Sequence, residues 1–357
     1  QYEFYFSDGT GPKFDILIAQ YESIMSDNST FASFSYNVLI VDEAHRLKNA
    51  HSKLLQALAN IHSEYRILLT GTPLQNTVEE LQSLLEFLHP GKFTDITNSS
   101  KTAEGVKYLR DILKPHLLRR LKRDVDQTIA RKEETIIECA LTKTQKQFYR
   151  AILEMNAGFL SKSANLQNIS MELRKCCLHP YLIKGAEDKI IEERGGYGNL
   201  TNEDLLDCLI RSSGKFILLN KLLPKLKADG HRVLIFSQMT QLLDIMVDYL
   251  NGIGYKFLRI DGGVPGRERQ RMIDQFNAEG SDIFIFLLCT RAGGLGINLN
   301  SADTVIIFDS DWNPQNDLQA QARCHRIGQH KVVKVYRLLM KGTYEEHMFE
   351  AASKKLG

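Results

Sequence analysis

Asp42-Glu43-Ala44-His45 directly follows the apolar run Val38-Leu39-Ile40-Val41. Adjacent carboxylates at the carboxyl end of a buried parallel strand lie where open α/β sheets bind their ligands. The first can hold Mg2+, usually through water, and the second can orient an attacking water for phosphoryl transfer. Loop acids capping the next helix would explain the same four letters. Thr70-Gly71-Thr72-Pro73 ends a further apolar run, and its hydroxyls can bond a neighbouring acidic loop; a plain turn is the simpler reading. Thr290-Arg291-Ala292-Gly293-Gly294-Leu295-Gly296 follows the run Ile283–Cys289. Its backbone amides can hold phosphate oxygens, and Gly294 and Gly296 permit close approach, although a strained turn has the same composition. In Gln319-Ala320-Gln321-Ala322-Arg323-Cys324-His325-Arg326, a helix would place Arg323 and Arg326 on one face with Gln319 one turn earlier. Paired guanidiniums suit phosphate and can serve as arginine fingers; a solvated basic helix is the plainer alternative. Trp312, the only tryptophan, sits among Asp309, Ser310, Asp311 and Asn313, which places it on a surface loop rather than in a core.

These residues need elements that deliver strand ends. Residues 14–90 alternate apolar runs (Phe14–Ala19, Val38–Val41, Ile67–Thr70) with a helical stretch at Ser52–Ile61, which indicates a parallel α/β sheet. From 91 to 209 strand-like runs nearly disappear. Val106–Leu121 and Lys143–Leu160 have helical spacing, and the glycine-rich Ile190–Thr201 reads as an exposed loop. From 210 to 341 five strand candidates return, at Val233–Phe236, Lys256–Ile260, Ile283–Leu288, Thr304–Phe308 and Val332–Leu339. Tyr344–Leu356 reads as a helix. The fold class expected is therefore α/β, with parallel-sheet blocks at 1–90 and 210–341, a helical insertion at 91–209, and a helical segment at 342–357.

Composition sets outer limits. With 357 residues, two domains are expected. A net charge of +2 makes no electrostatic case for nucleic acid, so local basic clusters must carry one. The six cysteines form no Cys-x-x-Cys pair, which argues against zinc and suits a reducing compartment. Ile283–Cys289 is far too short to span a bilayer, so no membrane association is expected. The chain opens with neither a methionine nor a signal peptide, which predicts that it starts inside a longer protein.

Taken in order, Asp42-Glu43-Ala44-His45, Leu69–Asn76, Leu234–Met239, Arg291–Leu299 and His325-Arg326-Ile327-Gly328-Gln329 resemble superfamily-two motors of the Swi/Snf class. Asp309–Gln329 and Glu172–Pro180 are similar to the chromodomain-helicase-DNA-binding remodellers. The resemblance covers nearly the whole chain. It implies two RecA-like lobes, the first truncated, with ATP and Mg2+ held between them, and the segment at 342–357 as the start of a C-terminal helical brace. It also implies a nuclear, ATP-driven double-stranded-DNA translocase acting on nucleosomes and their histones. Asp42 then takes the Mg2+ role and Glu43 the water-activating role. His45, Thr70 and Thr72 take the coupling role. Gly294, Gly296, Arg323 and Arg326 face nucleotide, with Gln319 beside the arginines. Ser237, Gln238, Arg259, Thr290, Arg291 and Trp312 line the DNA track. A non-catalytic DNA- or nucleosome-binding piece and a strand-separating DEAH-type helicase are the alternatives.

Three departures from the family pattern matter. No Gly-x-x-x-x-Gly-Lys-Ser/Thr occurs; Gly91-Lys92-Phe93 and Gly214-Lys215-Phe216 lack the earlier glycine and the following hydroxyl. The chain alone is therefore expected to hydrolyse ATP poorly, and its first lobe to expose apolar faces. Ala19-Gln20 stands where two threonines would precede Tyr21-Glu22, and Cys289 stands where serine is usual.

Overall fold

The computed structural model describes residues 6–7, 11–47, 49, 52–71, 78–93, 111, 113–120, 130–155, 168–290, 297–326 and 328–354. The chain divides into two compact units, Gln1–Arg119 and Arg120–Gly357.

In the first unit β1 (Phe6–Ser7) and β2 (Gly11–Pro12) form a small antiparallel pair. There follow α1 (Tyr21–Ser26), α2 (Asn28–Ala32), β3 (Ser35–Val41), a 3-10 turn at Ala44–Leu47, α3 (Lys53–Ala59), β4 (His62–Leu68) and α4 (Val78–Leu88). The Ser52 side chain caps α3 by accepting the Leu55 N–H at 3.2 Å. β3 and β4 run parallel, with Leu39 opposite Arg66 and Val41 opposite Leu68 on the face that the helices cover. Val38 opposite Tyr65 and Ile40 opposite Ile67 leave the other face exposed. Parallel strands are ordinarily covered on both faces, so this is the apolar exposure expected of the first block. Phe14–Ala19, read as a strand, is not one: Ile16 and Ile18 are exposed and no ladder pairs the segment. An apolar run becomes a strand only where a neighbour takes its backbone groups.

In the second unit the elements are β5 (Lys132–Cys139), α5 (Lys143–Leu153), α6 (Ile169–Leu178), α7 (Ala186–Glu193), α8 (Asn202–Ser212) and α9 (Gly214–Ala228). These lead into β6 (Val233–Ser237), α10 (Thr240–Gly252), β7 (Phe257–Ile260), α11 (Gly266–Asn277), β8 (Ile285–Cys289) and β9 (Thr304–Ile307). Last come α12 (Pro314–Gln321), β10 (Val333–Met340) and α13 (Tyr344–Ser353). Six parallel strands stand in the order β5-β10-β9-β6-β8-β7, which is the α/β parallel-sheet class expected.

Two readings of the middle block need correction. Lys132–Cys139, placed in a helical insertion, is an edge strand fully paired with β10. Its charges hid it: one edge faces water, where Lys and Glu are tolerated. Ile190–Glu193, read as loop, completes α7. Most of Val106–Leu121, and the end of the helix expected to reach Leu160, lie outside the described residues. Gln145 ties the middle block together. Fully buried, it donates to the Cys176 and Cys177 carbonyls at 2.8 and 3.1 Å and accepts from the Thr142 and Gly214 amides.

Candidate nucleotide and nucleic-acid sites

The acidic loop leaves β3 at buried Val41 and is clamped to the end of β4. Leu69 N–H donates to the Val41 carbonyl at 2.8 Å and Ala44 N–H to the Leu69 carbonyl at 2.9 Å. Glu43 has φ of 50°, a left-handed conformation that costs a residue bearing Cβ on the order of 1 kcal/mol or more. Asp42 Oδ1 accepts the Glu43 N–H at 2.8 Å, and Glu43 Oε2 lies 3.3 Å from His45 Nδ1. Asp42 itself is exposed, so a hydrated cation can reach it.

Sequence reasoning missed what braces this loop. The Tyr21 hydroxyl donates to the Asp42 carbonyl, Arg46 stacks 4.7 Å over the Tyr21 ring, and Arg46 pairs with Glu22 at 3.1 Å. Burial pushes the Tyr21 hydroxyl up to about 12; Arg46 opposes this, while Asp42 and Glu43 add to it. The phenol thus stays protonated and available as a donor. The sequence marks Tyr21-Glu22 only by the threonines missing before it. Thr70 is half-buried just after Leu69, and Thr72 lies outside the described residues.

In the second unit the carboxyl ends of β9, β6 and β8 stand side by side. Ser237 is fully buried, its hydroxyl accepting the Met239 N–H at 3.2 Å, so it lies beneath the loop surface. Gln238 N–H donates to Asp309 at 3.1 Å. Cys289, opposite Ser237, makes only a 3.9 Å thiol contact with the Gln238 carbonyl, the weak bond expected from sulfur in place of a hydroxyl. Thr290 follows it and is buried. Arg259 is paired with Asp244 at 2.6 Å and with Asp261 at 2.9 Å. Trp312 is half-exposed and edge-on to Tyr344 at 6.2 Å. Arg291, Gly294 and Gly296 lie outside the described residues.

The helical reading of the arginine segment is corrected. α12 carries half-buried Gln319 but ends at Gln321, and Arg323 and Arg326 follow in turns. Gln329 draws the chain away, its amide donating to the carbonyls of Ala302 at 2.7 Å, Asn300 at 3.0 Å and Cys324 at 3.3 Å; Gly328 supplies the positive φ of 93°. Arg323 is buried and its carbonyl accepts the Leu299 N–H at 3.0 Å. Arg326 is half-buried, with Nε on the Ala322 carbonyl at 3.0 Å.

Gly214-Lys215 is a packing element. A Cβ at Gly214 would stand 2.2 Å from the Ala140 carbonyl oxygen, and Lys215 is fully buried against Glu345 at 2.6 Å. His179 is fully buried too; burial pushes it down to about 4, so it is neutral at physiological pH and holds the Leu209 carbonyl at 2.9 Å.

Residues 5–182 match the SNF2-related domain and residues 214–328 the helicase conserved C-terminal domain. The crystal structure of the C-terminal part of the Fun30 ATPase domain aligns with a TM-score of 0.52 and 32% identity, covering 63% of this chain and 90% of that one. The chain belongs to the SNF2-related family. Within it, the chain is 56% identical over its whole length to chromodomain-helicase-DNA-binding protein 7 of Gallus gallus, protein 8 of Rattus norvegicus and protein 9 of Homo sapiens. It spans 12%, 15% and 13% of those proteins. The SNF2-related match runs through β5 and α6, both of which belong to the second compact unit. The acid pair falls in the SNF2-related match, and Gln238, Arg259, Thr290, Arg323 and Arg326 in the helicase C-terminal match.

Proposed function

We propose that the chain is most of the motor of a nuclear, ATP-dependent double-stranded-DNA translocase that slides or restructures nucleosomes. The observation that carries this reading is the acid pair, Asp42 and Glu43, at the carboxyl end of a parallel strand in a family of ATPase motors, with Glu43 held in a strained conformation beside His45. ATP with Mg2+ supplies the phosphoryl group to be transferred. The residues fit it: Mg2+ needs only one or two carboxylates beside phosphate oxygens, and exposed Asp42 offers one. Among the described residues no cluster of three or more ligating side chains competes for the ion. Glu43 orients the attacking water, while Arg323 and Arg326 meet developing charge with Gln319 beside them. Gly294 and Gly296 approach the nucleotide, and His45, Thr70 and Thr72 couple it to motion. Gln238, Arg259, Arg291 and Trp312 contact duplex DNA through its phosphates, with Ser237 and Thr290 shaping the track from beneath.

The test compares DNA-stimulated ATP hydrolysis by these 357 residues with that of a version extended upstream by a phosphate-binding loop. Turnover is expected only in the extended protein. There Glu43→Gln should reduce it by about 100-fold or more while sparing ATP binding. Normal turnover by that variant would remove Glu43 from its role. The absence of a Gly-x-x-x-x-Gly-Lys-Ser/Thr favours a second reading, a DNA- or nucleosome-binding piece without catalysis. Duplex binding with no turnover in either version would establish it.

A further inference from the structure

The segment Phe308–Asp311, just past β9, is gripped by three cations from three other elements. Lys215 Nζ donates to the Phe308 carbonyl at 2.6 Å. The Arg174 guanidinium, from α6, donates to Asp309 Oδ2 at 3.2 Å and to the Ser310 carbonyl at 3.3 Å. Arg337, from β10, donates to the Ser310 hydroxyl at 2.9 Å and to Asp317 at 2.5 Å, and Asp317 accepts the Asp311 N–H at 3.3 Å. All three cations are buried. Asp309 also takes the Gln238 N–H, so the loops after β6 and β9 share one anchor. Trp312 comes next in the chain and leans on Tyr344, whose N–H donates to the Tyr149 hydroxyl of α5 at 2.9 Å.

Buried ion pairs add little net stability, and apolar replacements of both partners often match them. Three buried cations converging on four residues, one through an ion pair and two through a carbonyl and a hydroxyl, therefore argue for fixed geometry rather than for stability. We infer that Arg174 and Arg337 are positioning residues that lock Gln238 and Trp312 into one rigid element, presenting both to the same ligand surface. That the ligand is duplex DNA rests on the proposed function; the lock itself does not. Arg174 is the informative member, because α6 lies outside the sheet and packs on α5 and α13. Movement of those helices would reach both loops through a single guanidinium.

Trp312 is the only tryptophan, so its fluorescence reports the loop in the chain as it stands. Its residue surface is 43% exposed, so Arg174→Gln is expected to raise acrylamide quenching roughly twofold as the loop is released, with far-UV circular dichroism unchanged. Arg174→Lys keeps the charge but lacks the planar fork, and should give a smaller rise. It also decides the matter if Arg174→Gln does not fold. A duplex of about 30 base pairs should change wild-type Trp312 emission, and half-saturation should need about fivefold more DNA in Arg174→Gln. Unchanged quenching in a folded Arg174 variant overturns the lock. Wild-type emission that ignores duplex DNA refutes the DNA assignment and leaves the lock to the quenching result.

Discussion

Replacing Lys215 by methionine should destabilise the second unit without touching nucleotide binding. The ammonium has three acceptors, Glu345 Oε1 at 2.6 Å, the Phe308 carbonyl at 2.6 Å and the Leu338 carbonyl at 3.2 Å. Glu345 is equally buried, and its other oxygen accepts the Met340 N–H at 2.9 Å. Methionine fills similar volume but donates nothing. It leaves a buried carboxylate with one N–H and two carbonyls without their donor. Breaking a buried pair from one side costs about 3–5 kcal/mol. For a unit of this size each kcal/mol moves Tm by about 2–4 °C, so a fall of about 6–20 °C is expected. Circular-dichroism melts of wild type, Lys215→Met and Lys215→Met/Glu345→Gln would measure it. The double variant removes both charges and should regain at least half of the loss. A single variant that melts within about 2 °C of wild type would refute the reasoning. A loss of nucleotide affinity by the same variant in the extended motor would give Lys215 a phosphate role that its burial argues against.

Other outcomes follow from the same geometry. Burial raises the Asp317 carboxyl from 3.8 to about 6, against the opposing pull of Arg337, whose charge Glu134 shares. The folded state therefore binds this proton more tightly than the unfolded state, and the associated stability, full below pH 4, is lost as pH rises through 6. Urea midpoints across that window should fall less steeply in Asp317→Asn; identical slopes would exclude the shift. Glu43→Gly relieves a left-handed strain and should stabilise the first unit by about 1 kcal/mol while abolishing turnover in the extended motor. A loss of that size on chemical denaturation would show that Glu43 is unstrained. Arg326→Ala in the extended motor should lower turnover more than duplex affinity, and the reverse pattern would place Arg326 on the DNA track.

Much of this was legible in the sequence, because buried parallel strands must be apolar runs. Val233–Phe236, Ile283–Leu288 and Thr304–Phe308 mark the central strands to within two residues, and Asp42-Glu43 stands at a strand end as its preceding apolar run implies. Phe14–Ala19 failed and Lys132–Cys139 was missed for one reason: hydrophobic pattern reports burial, whereas strand formation needs a partner ladder. Spacing places Arg323 and Arg326 on a helix, but that helix ends at Gln321, and Gln329 then holds the carbonyls of Cys324, Asn300 and Ala302 in the turns that follow. The sequence by itself determined the buried central strands of the second unit, the acidic strand end and the family. Tertiary structure alone decided that Arg174, Lys215 and Arg337 converge on Phe308–Asp311. Those cations stand far from that segment along the chain on separate elements, and a charged residue shows its burial only when its partner arrives from elsewhere in the fold.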